Sequence, residues 1–319
     1  MKVSVVIPCY NLGQYIVECL DSILRQQTDF DFEVIVRDDA SSDHSQAVLG
    51  KYLAGLSKKD STRLKLLLGT FNLGLVGNLA EIFTHCQGEY IAYLDGDDVA
   101  LPGKLQKQVD YLDRHPDCAI VYHESEVFDS DTGNIRGAYS RDFYNAKYIP
   151  AQAHISDLVK YGTFLQASAV MYRRHQHLEK ILDPAIQIIV DYPMHMFNAY
   201  FAQGSIDRMD EVLGKYRVHP QSFGAQTGRS AERRERVLSE LCRACDNALS
   251  MGVAEADVRA GKWHFTYAAA LYFLRMGEVE RFLKHIEAST DEQWFFDEKH
   301  RLVYEHRTHP AEIIARVFS

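Results

Sequence analysis

The sequence predicts an α/β protein built on a mostly parallel, doubly wound sheet, and three observations carry that prediction. Short apolar runs alternate along the chain with stretches in which apolar residues recur at helical spacing. The first of these runs, Val3 to Ile7, is a continuous β-branched run rather than an alternating one, as expected of a strand covered on both faces. Each run stops abruptly in polar or acidic residues, and in open α/β sheets ligands sit beyond the carboxyl ends of the strands.

The first run, Val3 to Ile7, is broken by Pro8 and Asn11-Leu12-Gly13. From Tyr15 to Gln27, Ile16, Leu20, Ile23 and Leu24 fall on one helical face with Glu18 and Asp21 on the other. Glu33 to Val36 is a second strand that ends in Arg37-Asp38-Asp39-Ala40-Ser41-Ser42-Asp43, a Ser/Asp cluster suited to cap a helix from Ser45 to about Leu56. Leu64 to Leu68 is the third strand, followed by Asn72-Leu73-Gly74 and a helix to about Cys86. Tyr90 to Leu94 is the central strand, ending in Asp95, Asp97 and Asp98 before Leu101-Pro102 lead into another helical pattern. Farther on, Ala119 to His123 reads as a strand, from which His123 and Glu126 could reach a sugar pocket although a lone histidine on a strand is more often structural, and Asp129 to Asn134 reads as the turn of an antiparallel hairpin. Ile188 to Val190 is an apolar run closed by Asp191, ahead of a helix from about Met194 to Gln203, and Gly214 to His219 is a further strand.

Pro220 to Ser230 shows no periodicity and is read as a lid over bound ligand or as a linker. Helical spacing then dominates residues 231–250, 253–275 and 278–288. The expected organisation is an α/β domain over residues 1–225 and an α-helical domain over 226–319.

Composition narrows the function. At 46% hydrophobic and 25% charged residues the chain is an ordinary globular protein, and its net charge of -9 argues against a broadly electropositive nucleic-acid surface. Six scattered cysteines, with Cys242 and Cys245 the one CxxC pair, give neither a disulfide framework nor a zinc site; reduced thiols in the cytoplasm are expected. No signal segment is read at the start, and no apolar run approaches a membrane span, so any membrane contact is expected to be peripheral.

The acidic loop is the most informative stretch. Three carboxylates within four residues repel one another, and a hard divalent cation with oxygen ligands is their natural partner, with a diphosphate to complete its shell. The competing reading is an acidic turn that favours the following helix through its dipole. No GxGxxG follows the first strand and no GxxxxGK[ST] occurs, so neither a dinucleotide nor a P-loop site is indicated. The strand ends instead offer an aromatic, Tyr10, and carboxylates: a ring on which a base can stack, an acceptor for its edge, and a metal through which phosphate is reached.

The segments VSVVIPCYNLGQYIVECLDSILRQ, FEVIVRDDASSD, NLGLVGNLAEIFTHCQGEYIAYLDGDD and VDYP resemble the family 2 glycosyltransferases, which have the GT-A fold, over roughly residues 2–220. The resemblance implies an inverting enzyme that uses a UDP-linked sugar and a divalent metal, Mn2+ or Mg2+. Carried over position by position, Pro8 and Tyr10 line the nucleotide pocket with Asn11 beside them, and Asp39 takes the uracil edge. Asp97 lies near the ribose or sugar, Asp98 ligates the metal and Asp95 shapes the loop. Asp191 matches the family's base, with Val190 in place of the preceding acid. Arg217 and His219 close over the diphosphate or the metal, and His219 is the second metal candidate. Two departures are Ala40, where the family more often has glycine, and Gly77, where a basic residue is frequent.

The function implied is transfer of a sugar to a hydroxyl of a saccharide acceptor, lipid-linked in bacterial O-antigen, capsule or lipooligosaccharide synthesis, at the inner face of the cytoplasmic membrane. The cluster Arg229, Arg233, Arg234, Arg236 and the run Trp294-Phe295-Phe296 are candidates for that membrane contact, although such features are more often a solvated helix face and a core cluster. A sugar nucleotidyltransferase would carry a glycine-rich basic loop after the first strand, where this chain has PCYNLG. A processive synthase would carry QxxRW and membrane spans. A binding or scaffold protein of the same fold is the non-enzyme alternative.

Overall fold

The computed structural model describes residues 1–144 and 146–318. It divides into two compact units, one of Met1–His154 with Thr163–His219 and one of Ile155–Gly162 with the chain from Pro220 onward.

The first unit opens as the apolar runs require. Strands β1 (Val3–Cys9), β2 (Phe32–Asp38), β3 (Leu64–Leu68) and β4 (Tyr90–Tyr93) alternate with helices α1 (Ile16–Leu24), α2 (Ser45–Gly55), α3 (Lys58–Arg63) and α4 (Gly74–Phe83). Every residue of β1 and β4 is buried, which explains runs with no polar alternation. Capping at α2 comes from the Asp/Ser cluster: Asp43 Oδ1 accepts the Ser45 backbone N–H at 2.9 Å. After the acidic loop come β5 (Val99–Ala100), α5 (Lys104–Arg114), β6 (Cys118–Asp129), β7 (Ile135–Ala138) and β8 (Gln152–Ala153).

One helix between these segments, α6 (Ile155–Tyr161), belongs to the second unit. The first unit resumes with β9 (Val170–Arg173), α7 (Asp191–Ala202) and β10 (Ser205–Val218).

These strands form a ten-stranded sheet in the order β3-β2-β1-β4-β9-β6-β10-β5, with β7 on β6 and β8 on β10. The four strands from β3 to β4 are mutually parallel, and β10 runs parallel to β6. Antiparallel β9 joins the two parts, pairing with β4 on one side and β6 on the other. The predicted hairpin forms: Asp129 Oδ1 accepts the N–H groups of Asp131 and Thr132, both at 3.0 Å, and β6 pairs antiparallel with β7. Gly88 permits the close approach of β1 and β4, since a Cβ there would lie 2.3 Å from the Ser4 nitrogen.

The second unit is helical. It adds α8 (Phe223–Thr227), α9 (Ala231–Asn247), α10 (Glu255–Arg275), α11 (Val279–Glu287), α12 (Glu298–Glu305) and α13 (Pro310–Val317) to α6. Periodicity anticipates α9 to α11; α8 falls within the stretch read as a structureless loop, where Ser222 caps five helical residues through the Ala225 N–H. Helix α6 packs on α10 so closely that a Cβ on Gly261 would meet the Val159 carbonyl oxygen at 2.1 Å, and Lys160 pairs with Asp257 at 2.8 Å. The aromatic run is drawn into this packing. Trp294 lies 5.4 Å from Trp263, and Phe296 stacks on His264 at 4.1 Å. Arg236 pairs with Glu240, and Arg234 lies over the Tyr272 ring at 5.4 Å. Among the described residues no helix is long and apolar enough to cross a membrane.

Candidate active site

The site is assembled at the carboxyl ends of the strands. Central strand β4 delivers the acidic loop, and β5, which follows it directly, pairs antiparallel with β10 through Val99 with Lys215 and Ala100 with Gly214. That pairing places the end of β10 against the loop. Arg217 is the result: its backbone N–H donates to Asp98 Oδ1 at 2.8 Å and its Nε to the Asp97 carbonyl at 2.7 Å. His219 Nε2 lies 2.9 Å from Asp97 Oδ2, and its ring lies 4.7 Å from that of Tyr15.

Asp98 is buried, at 1% exposure, and its carboxylate is fixed by three donors. Besides the Arg217 N–H, Ser168 Oγ donates to Oδ2 at 2.6 Å and Gln166 Nε2 to the same oxygen at 2.7 Å. Asp95 accepts from the Tyr93 hydroxyl at 2.8 Å, and its own N–H donates to Ser168 Oγ. Burial, reinforced by the charge of Asp97, pushes the carboxyls of both Asp95 and Asp98 well above the usual carboxylate range. Both carboxyls therefore hold a proton more readily than an exposed carboxylate does.

Beneath it lies a cation that sequence reasoning passed over. Lys104 is 1% exposed and donates to the Ser168 carbonyl, while burial pulls its ammonium down to about 8 against the opposing charges of Asp98 and Asp95. A signal was present, because helical spacing puts Lys104 and Gln108 on the same face of α5 as Leu105, Val109 and Leu112. Gln166 and Ser168 fall in Gly162 to Arg173, a stretch that resembles the family's donor-sugar strand, but neither is singled out by the sequence, and Glu18 was missed. The Glu18 carboxylate, on the exposed face of α1, pairs with the buried guanidinium of Arg217, and nothing in its local sequence marks that pairing.

The base-binding candidates lie at the ends of β1 and β2. Pro8 is buried in β1, while the Tyr10 side chain is 48% exposed, as a stacking surface must be. Asn11 takes φ +55°, and its Oδ1 accepts the N–H groups of Ser42 at 2.9 Å and Asp43 at 3.2 Å, tying the two strand exits together. Ala40 also takes φ +55°, so the turn keeps a left-handed residue without glycine, held by Ser41 N–H donating to Asp38 Oδ1 at 2.9 Å. Asp39 is 2% exposed; Arg37 Nη1 donates to its Oδ1 at 2.6 Å, and the Leu73 N–H spans both oxygens at 3.0 and 3.1 Å.

Asp191 is half-buried at the first position of α7, the helix residue after Val190 rather than the cap itself. Its carboxyl is raised by burial, opposed by the Tyr192 N–H, and its charge in turn acts on Asp95 and Tyr93. His123 is not available: the ring is fully buried, Nδ1 accompanies the Glu124 carbonyl at 2.8 Å, and burial holds the imidazole neutral. Glu126 faces Lys215 at 3.8 Å.

Among the described residues no three His, Cys, Asp or Glu side chains come together as a ready metal cage. The donor set nevertheless suits a hard divalent ion held partly by a bound diphosphate, since such ions are typically taken by one or two carboxylates plus substrate phosphates. Asp98 would supply a carboxylate, and His219, beside Asp97, is the second candidate ligand.

The model of glycosyl transferase family 2 matches residues 4–182, and the chain belongs to that family. An uncharacterized protein of Mycobacterium tuberculosis is 33% identical over 218 residues, 68% of this chain and 58% of its own. An uncharacterized glycosyltransferase of Haemophilus influenzae is 35% identical over 226 residues, 68% of this chain and 65% of its own. The chain thus spans about 58% of the length of the mycobacterial relative. Among solved structures, S. aureus TarS 1-349 in complex with UDP-GlcNAc aligns with TM-score 0.63 at 18% identity, covering 99% of this chain and 89% of that one. The mannosyltransferase PcManGT from Pyrobaculum calidifontis, in complex with GDP-Man and Mn2+, aligns with TM-score 0.63 at 17% identity, covering 99% and 87%. The fold is GT-A, as the motifs predict.

Proposed function

We propose that this chain is an inverting glycosyltransferase that moves a sugar from a UDP-sugar to a hydroxyl of a saccharide acceptor. The observation that carries the reading is the convergence on one acidic loop of a buried arginine and a histidine, bonded to Asp98 and Asp97. Asp98 and His219 would hold the divalent cation, which when bound offsets charge developing on the leaving diphosphate.

The protein's own groups do the rest. Tyr10 stacks on the uracil, Pro8 and Asn11 shape its pocket, and Asp39 accepts from the uracil N3–H. Arg217, drawn from Glu18, meets the phosphates as a charge-assisted donor. Asp191 takes the proton of the acceptor hydroxyl, and a carboxyl raised by burial is a stronger base than an ordinary one. Attack from the face opposite the nucleotide inverts the anomeric centre in one displacement. An acceptor in surface-polysaccharide assembly, lipid-linked at the inner face of the cytoplasmic membrane, is the setting we propose, with the catalytic part in residues 1–225 and the helical part in 226–319.

A panel of UDP-sugars offered to the full chain with Mn2+ or Mg2+ tests the reading, with nucleotide release as the measure. Turnover of at least one UDP-sugar is expected, with UDP bound well ahead of CDP, because cytosine presents no N3 proton to Asp39. Equal affinity for UDP and CDP, or a preference for GDP, would overturn the uracil assignment; no turnover of any nucleotide-sugar would leave the scaffold reading.

A further inference from the structure

Sheet order separates the two ends of the site. Strands β2 and β1, which carry the base-binding candidates, lie on one side of β4, and β6 and β10 lie on the other. On that second side is an aromatic cluster that nucleotide binding does not account for. The rings of Tyr139 and Tyr144 stack at 4.5 Å, and Tyr139 meets Tyr216, on β10, edge-on at 5.4 Å. Tyr139 is buried and Tyr216 half-buried, while Tyr144 is 44% exposed, so the stack runs from the core to an open face.

The backbone beneath it is unusual. Tyr139–Phe143 is a single π-helical turn, a rare conformation that is frequent at functional sites. It is held from below: the Glu124 carboxylate accepts the N–H groups of Ser140 at 3.0 Å and Arg141 at 3.2 Å, and Asp142 accepts that of Ala138 at 2.7 Å. The cluster also borders the chemistry. Tyr216 directly precedes Arg217 on β10, and the Arg217 backbone N–H donates to Asp98 Oδ1 at 2.8 Å.

A partly exposed tyrosine stack on the β10 side of the acidic loop suits a ligand with an apolar face and a polar rim, since such rings offer contact area at little cost in conformational freedom. A sugar ring has that form, with C–H groups on its faces and hydroxyls around its edge. We infer that Tyr144, backed by Tyr139 and Tyr216, is the platform for the acceptor saccharide, presenting the acceptor hydroxyl to Asp191; this rests on the sugar-transfer reading above. A nucleotide base is not the occupant, because the base candidates lie across β4.

The full chain, with UDP and Mn2+ present, is tested by saturation-transfer NMR with methyl glycosides of glucose, galactose, mannose and N-acetylglucosamine as probes. At least one glycoside is expected to receive saturation from the wild type, with the signal reduced roughly two- to tenfold in Tyr144→Ala and restored in Tyr144→Phe, which keeps the ring. Equal signals in wild type and Tyr144→Ala, or none from any probe, would overturn the inference. So would calorimetry in which Tyr144→Ala loses UDP affinity instead, which would place the ring on the donor side. UDP-sugar turnover by the wild type separates the two levels: with turnover intact, a negative NMR result removes the platform alone, and without turnover the transfer reading falls and the platform with it.

Discussion

Asp191→Asn is expected to lower turnover by roughly a hundred- to ten-thousand-fold, the usual contribution of a placed general base, while UDP affinity stays close to that of the wild type. The division follows from position. Asp191 opens α7 and acts on the acidic loop through its charge, whereas Arg217 and His219 bond directly to Asp97 and Asp98. Its carboxyl is raised by burial, and the base must be deprotonated to work, so the acid limb of the wild-type rate profile should lie above the ordinary carboxylate range. Steady-state rates with calorimetry on the same preparations check both parts. A mutant turning over at the wild-type rate would move the base elsewhere.

Asp98→Asn is expected to cost roughly a hundredfold or more in rate and, unlike the Asp191 change, to weaken UDP binding in the presence of Mn2+. The side chain accepts from Ser168, Gln166 and the Arg217 N–H, so an amide must turn its NH2 toward at least one donor. A buried mismatch of that kind typically costs about 1–3 kcal/mol, and the melting temperature should fall without loss of the folded state. Calorimetric titration with Mn2+, with and without UDP, separates the two effects. If the mutant retains full activity, or the wild type turns over fully in excess chelator, Asp98 is not part of a metal site.

Much of this was legible in the sequence because it is local. Continuous apolar runs fix β1 to β4, and the abrupt change to acid after Leu94 marks the loop on which the site is built. The turn after Asp129 and the helix start at Asp191 are likewise written in a few adjacent residues. What was hidden depends on pairing between distant segments. Antiparallel β9 enters between β4 and β6, and its approach carries Gln166 and Ser168 to Asp98, some seventy residues away in sequence. The Glu18 to Arg217 pair spans nearly two hundred residues, so no short-range pattern reports it. Helix α6 lies in sequence within the α/β part yet packs on α10, because Gly261 lets its backbone approach Val159. Lys104 was visible on the buried face of α5, but a lysine at such a position becomes intelligible only beside the charge of the acidic loop.

The central claim is single displacement at the anomeric carbon, and it can be tested before the acceptor is known, because water in the acceptor site must attack from the same face. Proton NMR that follows hydrolysis of an α-linked UDP-sugar in real time records the anomer released before mutarotation equilibrates it. The β-anomer should appear first, and an α-anomer appearing first would contradict the account.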